Sequence, residues 1–288
     1  MSELHQLFEA RPDGPVRIPC PGYENAHDLL DELPLGVYEA LRTFDHVRFI
    51  GLTEHLDRAQ LSMQRCGWSE PLERELICRS LDQLVTDYPA ADARVRFDIL
   101  ERSAPDRGVN SRIVVALSPF EELPEEVTSQ GVRALLTRDR RRSTPLVKKA
   151  AFILQRRPYP LHEPDAFEHI MVDEEDRLLE GTSSNFFYVQ DGALKTSGSK
   201  VLEGVTRAFV RKLAHDSGIS FAEDSITVGQ IDAIEEAFIT SSMKGIVPVR
   251  MIDDTPIGSG SPGPLTRRLL GAYNQYVSQH ATRASESC

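Results

Sequence analysis

Four places in the chain carry residues whose types could do chemistry together. Lys148 stands in PLVKKAAFILQRR (Pro145–Arg157), beside an apolar run, and Glu180 lies in LLEGTSSNFFYVQDG (Leu178–Gly192). Gly204, Val205 and Thr206 open the helix-like VTRAFVRKLA, and Thr240, Ser241 and Ser242 put hydroxyls at the end of the strand-like EEAFITSSMKGIVPV. A lysine with the ordinary pKa of about 10.4 is a poor nucleophile while protonated. It becomes useful when desolvated or stored as an imine. A helix N-terminus takes anions. The set suits an aldehyde cofactor that carries a phosphate. Singly, each residue has a plainer reading: a solvated lysine, a sheet-edge carboxylate, an ordinary helix start.

The elements that must position these residues read as follows. Residues Met1 to about Pro34 are polar, with turns at PDGP and CPGY. Leu33–Gly51 predicts a strand, a turn near Asp45-His46 and a second strand. A helix follows in which Thr53 is placed to cap and Leu56, Leu61 and Met63 supply an apolar side. ERELICRSLDQLVTDY (Glu73–Tyr88) is the clearer amphipathic helix, with Leu76, Leu81, Leu84 and Val85 near one face. ARVRFDILER (Ala93–Arg102) alternates Val95, Phe97 and Ile99 inward against charged neighbours, and SRIVVALSPF is another strand. Strand, strand, helix, helix, strand, strand is a compact α+β unit.

Residues 1–120 therefore form one expected domain, 121–131 an acidic linker around Pro124, and 132–288 a second domain. In the second, VRALLT is a strand, and the basic RDRRRS (Arg138–Ser143) is expected to be a solvated edge. Pro145 opens a short helix bearing Lys148 and Lys149 about 100° apart, so at most one faces a pocket. HIMVD and RLLEG flank an acidic turn, FFYVQDGALKT is a hairpin turning at Asp191-Gly192, and VTRAFVRKLAHDSG is a helix. A short helix near Ile231–Glu235 precedes the strand AFIT. The glycines of PIGSGSPGPLT shape turns before a last helix, because the GxGxxG spacing of a nucleotide loop is missing.

Composition narrows the class. With 40% hydrophobic and 27% charged residues over 288, the chain is globular and long enough for two cores. A formal charge of −11 speaks against nucleic acid or an acidic membrane as partner. Cys20, Cys66, Cys78 and Cys288 form no CxxC pair, and they are expected as reduced thiols, the last on a frayed terminus. The N-terminus lacks a basic stretch followed by an apolar one, and no run approaches the ~20 apolar residues of a membrane span. A cytoplasmic protein without metal is expected.

In this order and spacing, GVYEALR (Gly36–Arg42), EHLDR (Glu54–Arg58), PLVK, LLEGTSSNFF, LEGVTR (Leu202–Arg207) and FITSSMKGIVPV (Phe238–Val249) make the chain resemble the fold-type IV pyridoxal-phosphate enzymes. These are the class IV aminotransferases: branched-chain aminotransferases, D-amino acid aminotransferases and aminodeoxychorismate lyases. The resemblance runs from about Gly36 to Tyr276. It implies a two-domain α+β fold, with a small N-terminal α+β domain and a larger C-terminal β-barrel-like domain with helices. It also implies pyridoxal 5′-phosphate as cofactor, amino acid and 2-oxo acid substrates in a ping-pong cycle, and a homodimer.

By the same resemblance Lys148 is the Schiff-base lysine, and Glu180 pairs with the pyridine nitrogen. Arg58, Val205, Thr206 and Ser242 bind the cofactor phosphate, and Ser241 is a further cofactor-binding residue. Tyr38, Phe152 and Arg107 are the substrate-side candidates. Departures touch the substrate end. Leu35 precedes Gly36 and Ala40 follows Glu39 where branched-chain enzymes carry an aromatic–glycine and a glycine. Tyr38 is closer to the D-amino acid and lyase members, in which Arg107 would match a carboxylate-binding arginine. The first expectation is a branched-chain L-amino acid with glutamate; a D-amino acid aminotransferase or a lyase is the alternative.

Overall fold

The computed structural model describes residues 4–20, 26–156 and 166–288. They group into two compact units. One comprises 1–121, 147–155 and 280–288; the other comprises 122–146 and 156–279. The segment that carries Lys148 thus packs with the first unit although it lies far along the chain.

The first unit begins with β1 (Gln6–Glu9), β2 (Val16–Arg17) and α1 (Ala26–Asp31), in a stretch expected to hold only turns. The CPGY turn falls largely outside the described residues. Then come β3 (Val37–Arg42), β4 (Arg48–Phe49), α2 (Leu52–Arg65), α3 (Arg74–Thr86), β5 (Ala93–Ile99) and β6 (Ile113–Pro119). Five strands form an antiparallel sheet in the order β2-β1-β6-β5-β3. Period-two alternation gives the sheet two faces. Val37, Leu41, Val95, Phe97, Ile99, Val115 and Leu117 share a core with the buried residues of α2 and α3. The opposite face carries Tyr38, Ala40, Arg96 and Asp98, with Tyr38 opposite Asp98 and Ala40 opposite Arg96 in register. Arg96 and Asp98 are buried rather than solvated, because opposite charges two residues apart on one strand face can pair with each other. The cap of α2 also differs from expectation. Gly51, at φ 66°, precedes the helix, and Thr53 lies inside it, donating to the Ser287 carbonyl at 3.0 Å.

The second unit starts with α4 (Glu125–Ser129), a short turn of helix inside the acidic stretch, and β7 (Val132–Thr137). After α5 (Ala151–Arg156) come β8 (Ala166–Val172), β9 (Leu178–Gly181), β10 (Asn185–Gln190) and β11 (Ala193–Thr196). Next are α6 (Val205–Asp216), β12 (Phe221–Glu223), β13 (Glu236–Ser241), β14 (Gly245–Ile252), β15 (Thr255–Pro256) and α7 (Pro264–His280). The hairpin β10–β11 turns on Asp191 and Gly192, both with positive φ, as a two-residue turn requires. The helix expected near Ile231 is a 3₁₀ turn at Val228–Ala233.

Pairing runs β10-β13-β14-β7-β8-β9, and β9 then pairs back to β10 through Glu180 opposite Asn185. The return of β9 to β10 closes these six strands into a barrel, with β11 and β12 extending the sheet from β10 and β15 from β14. Ala134, Ile170, Phe186, Ile239 and Val247 contribute to its core. The chain ends with β16 (Thr282–Arg283), which belongs to the first unit and pairs with β4. Cys288 is joined to Cys78 of α3, so the expectation of reduced thiols and a frayed terminus is corrected for this pair; Cys20 and Cys66 are free. Among the described residues no helix is long and apolar enough to cross a membrane.

Candidate active site

In the first unit the site is built on β3. Residues around Lys148 are not helical. They run alongside β3 as an extra strip: Tyr38 N donates to Lys148 O at 3.0 Å, and Ala150 N donates to Gly36 O at 2.9 Å. Lys149 forms a bridge with Val37, and Lys148 N donates to Ser62 Oγ at 3.3 Å. The helix expected from Pro145 starts only at Ala151, and its expected end at Arg157 lies outside the described residues. Backbone bonds to a buried strand thus fix the lysine's root. Its Nζ lies 4.9 Å from the centroid of the Tyr38 ring, with Arg96 Cζ 5.0 Å from the same centroid. Arg96 grips Asp98 with Nε at 2.7 Å and Nη2 at 2.6 Å. Burial pushes the Asp98 carboxyl up, and the guanidinium opposes that only in part. Ala150 and Ile153 pack on Tyr38, with Leu35 and Ala40 against them. Phe152 is buried on α5.

On the other face of β3, Glu39 is fully buried among the side chains of α2. His55 Nδ1 lies 2.7 Å from Glu39 Oε2, and Arg58 Nε donates to Oε1 at 2.9 Å while Nη2 reaches Oε2. Burial alone would raise the Glu39 carboxyl, but the Arg58 charge and the hydrogen bonds outweigh it and hold it at about 2. Burial lowers the His55 imidazole despite its bond to Glu39. A neutral ring then donates from Nδ1. Arg107 lies on an exposed turn, with Nη1 on Glu32 Oε2 at 2.6 Å.

In the second unit the site is built where the barrel closes. Glu180 is buried on β9, and three donors converge on it: Arg142 Nε at 2.9 Å, Asn185 Nδ2 at 2.9 Å and Leu202 N at 3.1 Å. The turn between Glu180 and Asn185 hangs from a second buried carboxylate. Glu168 accepts from the hydroxyls of Thr182 (2.8 Å), Ser183 (2.6 Å) and Ser184 (2.9 Å), and from His169 N at 2.9 Å. Burial would raise the Glu168 carboxyl, but the Ser183 hydroxyl, the Lys244 charge and the Thr182 hydroxyl hold it below its usual range.

Helix α6 starts at Val205 after Gly204, whose backbone packs so close to Asn185 that an added Cβ would lie 2.0 Å from Oδ1. Its N-cap is this glycine, and among the described residues no side-chain cap hydrogen bond is made there. Thr206 Oγ1 and Ser242 Oγ lie 3.4 Å apart, with Ser242 just past the end of β13. Unpaired N–H groups, a positive helix end and two facing hydroxyls are a donor set suited to a phosphate. Ser241 Oγ instead accepts from Lys244 N at 3.2 Å, shaping that turn.

The structure therefore brings Lys148 and Tyr38 together in one unit, and Thr206 and Ser242 together in the other. Sequence reading misses Arg142, Arg96, Asp98 and Glu168. Arg142 falls in the stretch expected to be a solvated edge, and it is buried; no spacing marks which of four neighbouring arginines turns inward. Glu168 has a signal, since it shares strand parity with the buried Ala166 and Ile170.

Residues 36–252 match the amino-transferase class IV family. A D-alanine aminotransferase of Bacillus licheniformis is 28% identical over 250 residues, covering 84% of this chain and 87% of that one. The fold is shared with the T.th. branched-chain amino acid aminotransferase with pyridoxamine 5′-phosphate, at TM-score 0.78 and 22% identity over 97% of this chain and 98% of that one. It is shared too with the branched-chain aminotransferase of Thermoproteus uzoniensis with norvaline, at TM-score 0.71 and 23% identity over 97% and 99%. A closed barrel and an α+β unit, with a strand-anchored lysine and an anion-ready helix end, make the architecture of fold-type IV pyridoxal-phosphate enzymes. The chain belongs to the amino-transferase class IV family.

Proposed function

We propose that the protein moves an amino group between a branched-chain L-amino acid and a 2-oxo acid, with glutamate as the other amino donor. The observation that supports this reading is the apolar cluster of Tyr38, Ala150 and Ile153, with Leu35 and Ala40 packed against it, whose Tyr38 ring lies 4.9 Å from Lys148 Nζ. Such a cluster favours an apolar side chain by the transfer energy of its methylenes, about 0.8 kcal/mol each. Arg107, the candidate for a D-substrate's carboxylate, is instead ion-paired on the surface.

Pyridoxal 5′-phosphate, when bound, supplies the electron sink for charge released at the substrate Cα. Lys148 would hold its aldehyde carbon and would carry the proton taken from the substrate Cα. Glu180 would hold the ring nitrogen, its carboxylate oriented by Arg142 and Asn185. The Val205 and Thr206 amides, the Thr206 and Ser242 hydroxyls and Arg58 would be the groups to take the phosphate charge; Ser241 shapes the turn that presents Ser242. Tyr38 and Phe152 line the side-chain end. The protein works as a homodimer in the cytoplasm; sedimentation of active enzyme at the monomer mass would reject the dimer.

A second reading rests on the likeness to D-alanine aminotransferase. The deciding measurement is a half-reaction screen of the holoenzyme, following loss of visible cofactor absorption with L-leucine, L-glutamate, D-alanine and D-glutamate. Conversion by L-leucine and L-glutamate supports the first reading. Conversion by the D-amino acids alone replaces it with the second. Inertness to all four, with pyruvate and 4-aminobenzoate released from aminodeoxychorismate, would make the enzyme a lyase.

A further inference from the structure

Glu39 occupies a costly position. It stands between Val37 and Leu41 on the face of β3 that packs against α2 and α3, and it is fully buried. Two buried side chains of α2, His55 and Arg58, converge on its carboxylate from one turn apart. A buried ion cluster of this kind usually adds little stability compared with apolar side chains of the same volume. Its presence in an otherwise apolar layer therefore asks for another role.

We propose that Glu39 and His55 are positioning residues that fix the guanidinium of Arg58 for the cofactor phosphate. The inference rests on the reading above in which Arg58 is a phosphate ligand. Glu39 grips Arg58 along one edge, through Nε at 2.9 Å and Nη2 at 2.5 Å. Two parallel bonds to a planar fork fix its plane, and hence the directions of its other N–H groups. The carboxylate must itself be kept from turning. His55 does this, since its Nδ1 meets Oε2 at 2.7 Å. The imidazole is anchored in turn by its place in the first turn of α2, where His55 N donates to Gly51 O at 3.0 Å.

Among the described residues His55 Nε2 is buried without a hydrogen-bond partner. A second proton there would be an unpaired buried donor beside the Arg58 charge, so the ring remains the neutral Nδ1–H tautomer. The chain of contacts runs from the α2 backbone to His55, to Glu39, to Arg58.

Two physical effects oppose each other here, and that makes the proposal testable by sign. Glu39 neutralises Arg58, so a purely Coulombic role predicts that removing its charge strengthens phosphate binding. A positioning role predicts the reverse, because a freed guanidinium loses its fixed geometry. The experiment titrates apoenzyme with pyridoxal 5′-phosphate and, separately, with pyridoxal, which lacks the phosphate.

For Glu39→Gln, the dissociation constant of the phosphorylated form should rise about tenfold, the size of one misdirected charge-assisted hydrogen bond. That of pyridoxal should stay within about twofold. His55→Leu should repeat the effect, and His55→Asn, which keeps a donor near Nδ1, should restore it. Where Glu39→Gln does not fold, Glu39→Asp replaces it: the charge remains, the shorter side chain loses one edge contact, and the same selective rise is expected.

Arg58→Gln separates this inference from the reading beneath it. If Arg58→Gln leaves the phosphorylated cofactor's affinity unchanged, the phosphate role of Arg58 fails and the proposal with it. If Arg58→Gln weakens binding but Glu39→Gln strengthens it, leaves it alone, or weakens pyridoxal equally, the positioning role alone is overturned.

Discussion

Lys148 and Lys149 are neighbours with different fates, and the difference lies in the backbone. Lys149 bridges Val37, while Lys148 is the residue whose amine reaches the Tyr38 ring. Lys148→Ala should lower kcat by at least about a hundredfold, the usual scale for losing a positioned proton carrier. Lys149→Ala should leave it within a few-fold; equal losses in steady-state assays would mean the strip is structural only. Glu39 yields a prediction in pH. Its carboxyl is held at about 2 against an ordinary 4.5, so its stabilisation is complete above about pH 4.5 and is lost as pH falls towards 2. Unfolding free energies from urea titrations should therefore fall more steeply with acid in the wild type than in Glu39→Gln, by up to about 3 kcal/mol over that interval. Parallel slopes would show that Glu39 titrates normally.

Helix α7 shows how one element is held by another. Its first amides, Leu265 N at 3.1 Å and Thr266 N at 2.7 Å, are taken by the carboxylate of Glu236 on β13. Gly263 permits this approach; a Cβ there would lie 2.1 Å from Glu236 Cδ. Glu236→Ala should lower unfolding stability by about 1–2 kcal/mol, the cost of a lost N-terminal cap with its dipole interaction. No change in the denaturation midpoint would show that water replaces the cap fully.

The same element shows what a sequence can and cannot reveal. The strand alternation of ARVRFDILER, the Asp-Gly hairpin and the amphipathic α3 were legible because each is written within a dozen residues or so. The Glu236 cap joins residues far apart along the chain and has no local mark. Lys148 was legible through its motif, but its setting reads as helical because PLVKKAAF has helix-forming composition. The bonds to β3 that keep it extended come from a strand much earlier in the chain. Arg142 was lost for the same reason, and Arg96 and Asp98 because alternation labels a face polar without saying whether that face is covered.

At the scale of the whole chain, the C-terminal segment is tied back onto the first unit. Ala284 is buried, Arg283 pairs with Asp82 at 3.0 Å, and Cys288 is bonded to Cys78 across 210 residues. Closing so long a loop restricts the unfolded chain by about 5 kcal/mol in the entropy model, an upper figure because denatured chains keep residual structure. Cys288→Ser, or a reducing agent with the wild type, should lower the melting temperature by several degrees. A mass two hydrogens heavier, with no thermal shift on reduction, would show that the pair is open in solution.

The barrel has a seam, and the seam is Glu180 against Asn185. The carboxylate assigned to the cofactor ring is thus also the residue at which the last strand finds the first. A copy of this gene drifting without selection could not shed its chemistry at Glu180 and keep its shape at no cost. Losing that side chain unties Arg142, Asn185 and the Leu202 amide together. Removing this one side chain would therefore weaken the closure of the barrel as well as the pocket assigned to the cofactor ring.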